Sequence, residues 1–161
     1  MNYTEPPIHL ITDKAQADIA AWNAWRAERP DVIVDFTGVD FSNRNLGDID
    51  LSNVKAISAN FSGAYLHEAN LSHSSFDGAN FDGAKLSSAR ICFSYFTDAS
   101  FCNANLGWSN MSLSILSGAN LDGANLSSAV GISRSDISAA VPVGSGQLCS
   151  AYFNRDTKTV T

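Results

Sequence analysis

From Phe36 onward a large apolar residue returns every five positions, through Phe41, Leu46, Leu51 and Phe61 to Leu126, and only Ala56 breaks the size rule. No other feature narrows the fold as far. Helices repeat near 3.6 residues and strands near 2, so a period of five fits neither template. Two residues before each large position stands a second series, and from Ala59 to Ala129 every member of it is Ala or Ser. Residues two apart share one face of an extended strand. Each unit therefore reads as a very short strand that turns one small and one large side chain inward, followed by a corner.

The number of units in a coil can be tested on the same residues. At a spacing of 20, Phe41, Phe61, Phe81, Phe101 and Leu121 fall into one class. Leu46, Leu66, Leu86, Leu106 and Leu126 fall into another. Spacings of three or five units mix Phe with Leu. Like therefore stacks on like in neighbouring coils, which predicts a four-sided parallel solenoid with 20 residues per turn. Phe81 should be buried between Phe61 and Phe101, whereas Asp82 points outward and should matter little to stability.

The units Ala59-Asn60-Phe61-Ser62-Gly63, Ala79-Asn80-Phe81-Asp82-Gly83 and Ala119-Asn120-Leu121-Asp122-Gly123 resemble the pentapeptide-repeat family. The resemblance covers 34–128, more than half of the chain. It implies an all-β fold, a right-handed quadrilateral parallel β-helix of about five coils. The handedness comes from the resemblance and not from the spacing. With coils about 4.8 Å apart, the regular rod is roughly 23 Å long.

Such a rod has open edges at both ends, and open edges invite aggregation. The flanks are expected to cover them. Residues 1–33 form an N-terminal segment, the solenoid occupies 34–129, and 130–161 hold a distorted last coil and a C-terminal tail. Asp13-Lys14-Ala15-Gln16 reads as a capping box that opens a helix over about 13–28, laid over the first coil as an N-terminal cap. Trp22 or Trp25 would plug the open core. Arg44 stands at a small inward position, where a bare guanidinium is too costly. It should reach Asp13, Asp18, Glu28 or Asp31, or else lie solvated in a frayed first coil. Val54 is larger than its counterparts and can refill the space left at Ala56.

Composition excludes several functions. The 16 acidic residues outnumber 10 basic ones, for a net charge of −6. That balance argues against direct nucleic-acid binding through a basic face. No apolar run approaches the length of a membrane span, and no export signal precedes the repeats, so a cytoplasmic protein is expected. The resemblance suggests a bacterial or phage source. Three cysteines are too few for a disulfide scaffold. Cys92 and Cys102 are two units apart and so lie on opposite sides of the coil, and Cys149 falls in the tail. His67, Glu68 and Tyr65 are the nearest thing to an acid–base group, but outward positions on a filled rod are convex, and catalysis needs a concave site. No catalytic residue, cofactor or metal is expected. The four Asn-X-Ser matches arise from the repeat itself, and Thr37 and Thr97 are too few for an ice-binding row.

Two functions remain. The first is a non-enzymatic interaction module that displays outward side chains to a protein partner. Most outward positions are Ser, Asn, Asp or Gly, so the apolar exceptions mark the candidate interface. Phe93 and Leu113 are 20 apart, as are Tyr95 and Ile115, and Trp108 lies one corner away. The expected occupant of this corner is the tail, through Leu148, Tyr152 or Phe153, or else a partner or second copy of the chain, which would make a homodimer. The alternative function is DNA mimicry, because family members linked to quinolone resistance resemble B-DNA and bind DNA gyrase. The candidate acidic face is Asp40, Asp82 and Asp122. The charge is thin for that role. A duplex 23 Å long carries about 14 charges, whereas 34–128 hold nine acids and four bases, a net of 4 − 9 = −5.

Overall fold

The structure is a computed structural model that describes residues 6–12 and 18–132. Two helices come first, α1 (His9–Thr12) and α2 (Ile19–Glu28), followed by two short strands, β1 (Val34–Asp35) and β2 (Val54–Lys55). The strands pair in parallel with Val34 opposite Val54. Beyond them the chain forms single parallel bridges, from Asp40 with Asn60 to Asn110 with Val130. Every bridge joins residues 20 apart, the spacing at which the large residues sort into classes.

The unit centred on Phe81 shows why the pattern has five positions. Asn80 N–H bonds back to Ala59 O (2.9 Å), while Phe81 N–H and Gly83 N–H bond forward to Ser100 O (2.7 Å) and Cys102 O (2.8 Å). Ala84 N–H closes the corner on Phe81 O (3.0 Å). The fifth amide, on Asp82, is taken by Asn80 Oδ1 at 2.9 Å. All five amides are therefore satisfied. Asn or Asp recurs before the large residue because its side chain bonds the backbone two residues on. The residue two places after the large one has positive φ throughout, from Gly38 (71°) to Ser128 (59°). Gly, Asn, Asp and Ser dominate there because their local geometry tolerates that region.

The inward side chains form columns along the rod. Phe41, Phe61, Phe81 and Phe101 stack with centroids 4.9, 4.9 and 5.0 Å apart. A second column stacks Phe76 on Phe96 at 5.1 Å. The two columns meet edge to face, Phe76 lying 5.5 Å from Phe81. Both geometries suit the ring quadrupole. Phe81 is fully buried between Phe61 and Phe101. Val54 is buried beside the small Ala56, in the column that continues as Ser74, Ser94 and Ser114.

That serine column behaves differently from the alanines. Ser74 Oγ accepts from Val54 N–H (3.1 Å) and donates to Leu51 O (2.9 Å). Ser94 Oγ likewise accepts from Ser74 N–H (3.3 Å) and donates to Leu71 O (2.8 Å). Each hydroxyl thus enters the corner of the coil below and replaces the direct backbone bond found at alanine corners. Ser109, in another column, is buried and its hydroxyl has no partner among the described residues.

Helix α2 is shorter than the span of 13–28 read from sequence. Its N-cap is Asp18, whose Oδ1 accepts from Ala21 N–H at 2.9 Å. Residues 13–17, with the Asp13 capping box, lie outside the described residues. Trp22 is fully buried, 5.7 Å from Phe36, and its Nε1 donates to Asp50 O at 2.8 Å. Trp25 stands beside it, half-buried, with the guanidinium groups of Arg26 and Arg29 5.9 and 5.6 Å from its ring centroid. Asn23 donates to Asp48 O (2.8 Å) and accepts from Asp50 N–H (2.9 Å). A further coil would otherwise pair Asp50 N–H and Asp50 O, which Asn23 and Trp22 take here. Arg26 is buried and donates to Val32 O (2.7 Å) and Ser52 O (2.5 Å). Burial pulls its guanidinium below the ordinary range, and nearby Asp50 partly offsets this. Arg44 is half-buried over Phe41 and donates to Ile11 O of α1 at 2.8 Å. This carbonyl was not among its expected partners.

At the other end Val130 keeps register with Asn110, and Gly131 then breaks it. A Cβ on Gly131 would lie 2.3–2.4 Å from Ser112 atoms, and its φ is 79°. Only glycine lets the chain pass so close. Ile132 is buried one position late, as its spacing suggests. The rest of the expected last coil and the tail, including Leu148, Cys149, Tyr152 and Phe153, lie outside the described residues.

Candidate functional site

Three of the five apolar candidates occupy the position that demands positive φ. Phe93, Trp108 and Leu113 have φ of 55°, 56° and 60°. For a side chain that makes no local hydrogen bond this region costs roughly 1–2 kcal/mol. The same residues are exposed, Leu113 at 71% and Trp108 at 68%. The rod therefore bears a backbone cost and an exposure of apolar surface at the same positions. Strain at exposed sites is a pointer to function.

The bridges place these residues in adjacent coils. Tyr95 pairs with Ile115, and Phe93 N–H bonds Ser112 O at 3.0 Å, next to Leu113. Tyr95 and Ile115 are both exposed. Below them the Phe93 ring stacks on His73 at 5.0 Å, which continues the corner by one coil. Trp108 N–H bonds Ser127 O one coil on, at the neighbouring corner. Val130, exposed and in register with Asn110, lies on the face between these two corners. Val130 was not among the candidates. Its signal is that it stands where Asn or Asp usually precedes the large residue.

The acidic candidates are partly committed to the fold. Asp40 Oδ1 accepts from Ser42 N–H and Asn60 Nδ2, each at 3.0 Å. Asp82 Oδ1 accepts from Cys102 N–H (2.9 Å) and from Ser100 Oγ. Ser100 stands where Asn would serve that amide, and Asp82 supplies the missing acceptor from the coil below. Asp77 does the same for Thr97 N–H (3.0 Å), because Tyr95 lacks an amide side chain. Asp82 thus matters to stability more than its outward position suggests. Asp122 is exposed, and its own N–H is held by Asn120 at 3.0 Å.

His67 lies between Ser87 Oγ (2.9 Å from Nδ1) and Glu68 Oε1 (3.1 Å from Nε2). The order resembles a nucleophile, base and orienting acid. Both His67 and Glu68 are exposed on the convex side, so nothing excludes water from them. Cys92 and Cys102 are free thiols, each half-buried. Among the described residues no group of His, Cys, Asp and Glu is placed to hold a metal ion. No described helix is long and apolar enough to cross a membrane.

Comparison with known proteins agrees with this geometry. A pentapeptide repeat protein from the Arabidopsis thaliana thylakoid lumen is 31% identical, with a TM-score of 0.56. The match covers 57% of this chain and 64% of that one, so the chain spans less than two thirds of that protein's length. The pentapeptide repeat protein Rfr23 of the cyanobacterium Cyanothece 51142 is 22% identical over 68% of this chain and 90% of its own, with a TM-score of 0.43. QnrB1, a plasmid-mediated fluoroquinolone resistance protein, is 15% identical over 61% of this chain and 81% of its own, with a TM-score of 0.22. No curated protein matches. The family model for pentapeptide repeats matches in eight copies over residues 35–72, 64–91 and 94–130, and the chain belongs to that family.

Proposed function

We propose that the chain is a non-enzymatic interaction module. It is a right-handed quadrilateral solenoid of about five coils, covered at its N-terminal end by α2, and it docks a protein partner at the corner of Phe93, Tyr95, Leu113 and Ile115, with Trp108 at the neighbouring corner. The observation that carries this reading is the coincidence of positive φ and exposure at Phe93, Trp108 and Leu113. Asn, Asp, Ser and Gly fill most equivalent positions, so folding alone gives no reason for large apolar residues there. Apolar anchors in a polar surround are the usual source of binding energy.

DNA mimicry draws less support. Asp40 and Asp82 accept bonds that hold the coils together, and the coils of Asn60 with Ser62 and of Ser100 with Cys102 separate the three carboxylates along that face. The two readings part in one experiment. Full-length protein serves as bait in native lysate, beside Trp108→Asn/Leu113→Asn and Asp40→Asn/Asp122→Asn variants. Loss of a captured protein from the first variant alone supports the apolar corner. Loss from the second alone supports mimicry, and a gyrase supercoiling assay then asks whether that enzyme is the target.

A further inference from the structure

The charge on the rod is unevenly placed, and the apolar corner lies where charge is absent. Between Asp35 and Arg90 the repeats carry eleven acidic or basic residues. From Ile91 to Val130 they carry two, Asp98 and Asp122. The stretch from Ala99 to Leu121 is longer than one full coil and holds no charged residue. Tyr95, Trp108, Leu113, Ile115 and Val130 all cluster in this half, with Phe93 at the same corner.

We propose that this corner binds a second copy of the same chain, side by side about a two-fold axis. The proposal rests on the reading of the corner as a docking surface and names its occupant. Two observations favour a copy over a foreign partner. The first is charge. Each chain carries −6, so two copies repel overall, and they meet with the fewest charged groups to desolvate through the charge-poor half, which holds two such groups against eleven. A neutral apolar patch is also self-complementary, as an isologous interface requires. Homodimer interfaces are richer in apolar area and poorer in charge than other interfaces. The second is area. Six side chains are between 41% and 71% exposed, of the order of 600 Å² of apolar surface in all, which with its Ser and Asn surround approaches the ~800 Å² per partner of a standard interface. An antiparallel arrangement lays Phe93 of each copy against Leu113 of the other.

The test is the mass of the full chain in solution, by sedimentation equilibrium from low to high micromolar concentration. The expected result is a shift from 17.1 kDa towards twice that value, strengthened by added salt, which screens the repulsion. Trp108→Asn/Leu113→Asn should stay at 17.1 kDa with an unchanged circular dichroism spectrum. Asn stands at the equivalent position of its unit in Asn53, in the Leu113 column, and in Asn43 and Asn103 at another corner, all with positive φ, so the variant keeps a residue the fold already accepts. Iodide quenching of Trp108 in the wild type should weaken as protein concentration rises. A wild-type monomer at all concentrations overturns the proposal, and so does a dimer that persists in the variant or that weakens with salt. Shielding of Trp108 at every concentration in a monomer would mean that residues 133–161 of the same chain occupy the corner, which also overturns it. If the wild type is monomeric yet a foreign protein is captured through Trp108 and Leu113, self-association fails and the docking reading stands. If neither mass nor capture depends on them, both fail.

Discussion

At the residue scale, two serines with the same inward position have opposite effects. Ser94 Oγ links Ser74 N–H to Leu71 O within the rod. Ser94→Ala removes that link and leaves two backbone groups to find each other across the corner. A cost of about 1–2 kcal/mol is expected, read from urea denaturation. Ser109 is buried with no partner for its hydroxyl. Ser109→Ala should be neutral or slightly stabilising, because it removes an unsatisfied polar atom. The sequence treats both simply as small residues, and the difference depends on what the adjacent coil inserts into the corner. Asp82 is similar. Its outward position is legible, but its bond to Cys102 N–H follows from Ser100 in the next coil, so Asp82→Ala should cost about 1 kcal/mol rather than almost nothing.

At the scale of elements, the ladders were legible and the ends were less so. A 20-residue sort of large residues anticipates each Phe stack because identical side chains in register must meet. Phe81→Ala should cost about 3–5 kcal/mol, since both ring neighbours and the edge contact with Phe76 are lost. The start of α2 was misplaced because Asp13 has the better capping-box pattern, with Gln16 three residues on. The structure uses Asp18 instead, where the chain turns as Asp18 N–H bonds Leu10 O at 2.7 Å. Asp18→Ala should lower stability by about 1 kcal/mol. Trp22 as the core plug was one of two readings, and burial selects it over Trp25. Asn23 gave no signal in the sequence, since its role depends on where α2 meets the exposed edge of Asp48 and Asp50. Asn23→Leu keeps the volume but frees those two backbone groups, and an increase in aggregation rate, followed by light scattering, is expected.

For the whole molecule, the rod divides into a half with eleven charged groups and a charge-poor half that bears the proposed docking surface. Five of the six exposed apolar residues on this side of the rod were visible as exceptions to a polar pattern. What spacing could not reveal was that Phe93, Trp108 and Leu113 sit in a backbone region unfavourable to them, because that depends on the geometry of the corner turn. The central claim is that Trp108 and Leu113 are present for binding at some cost to folding. Equilibrium urea unfolding of Trp108→Asn/Leu113→Asn tests it most directly, beside the wild type at a dilution where both are monomeric. Both side chains are largely exposed and lose little packing on replacement, while Asn relieves the positive φ. The account expects a higher midpoint with an unchanged slope, a gain of about 1 kcal/mol per site. A midpoint below that of the wild type would show that these side chains serve the fold, and would contradict the account.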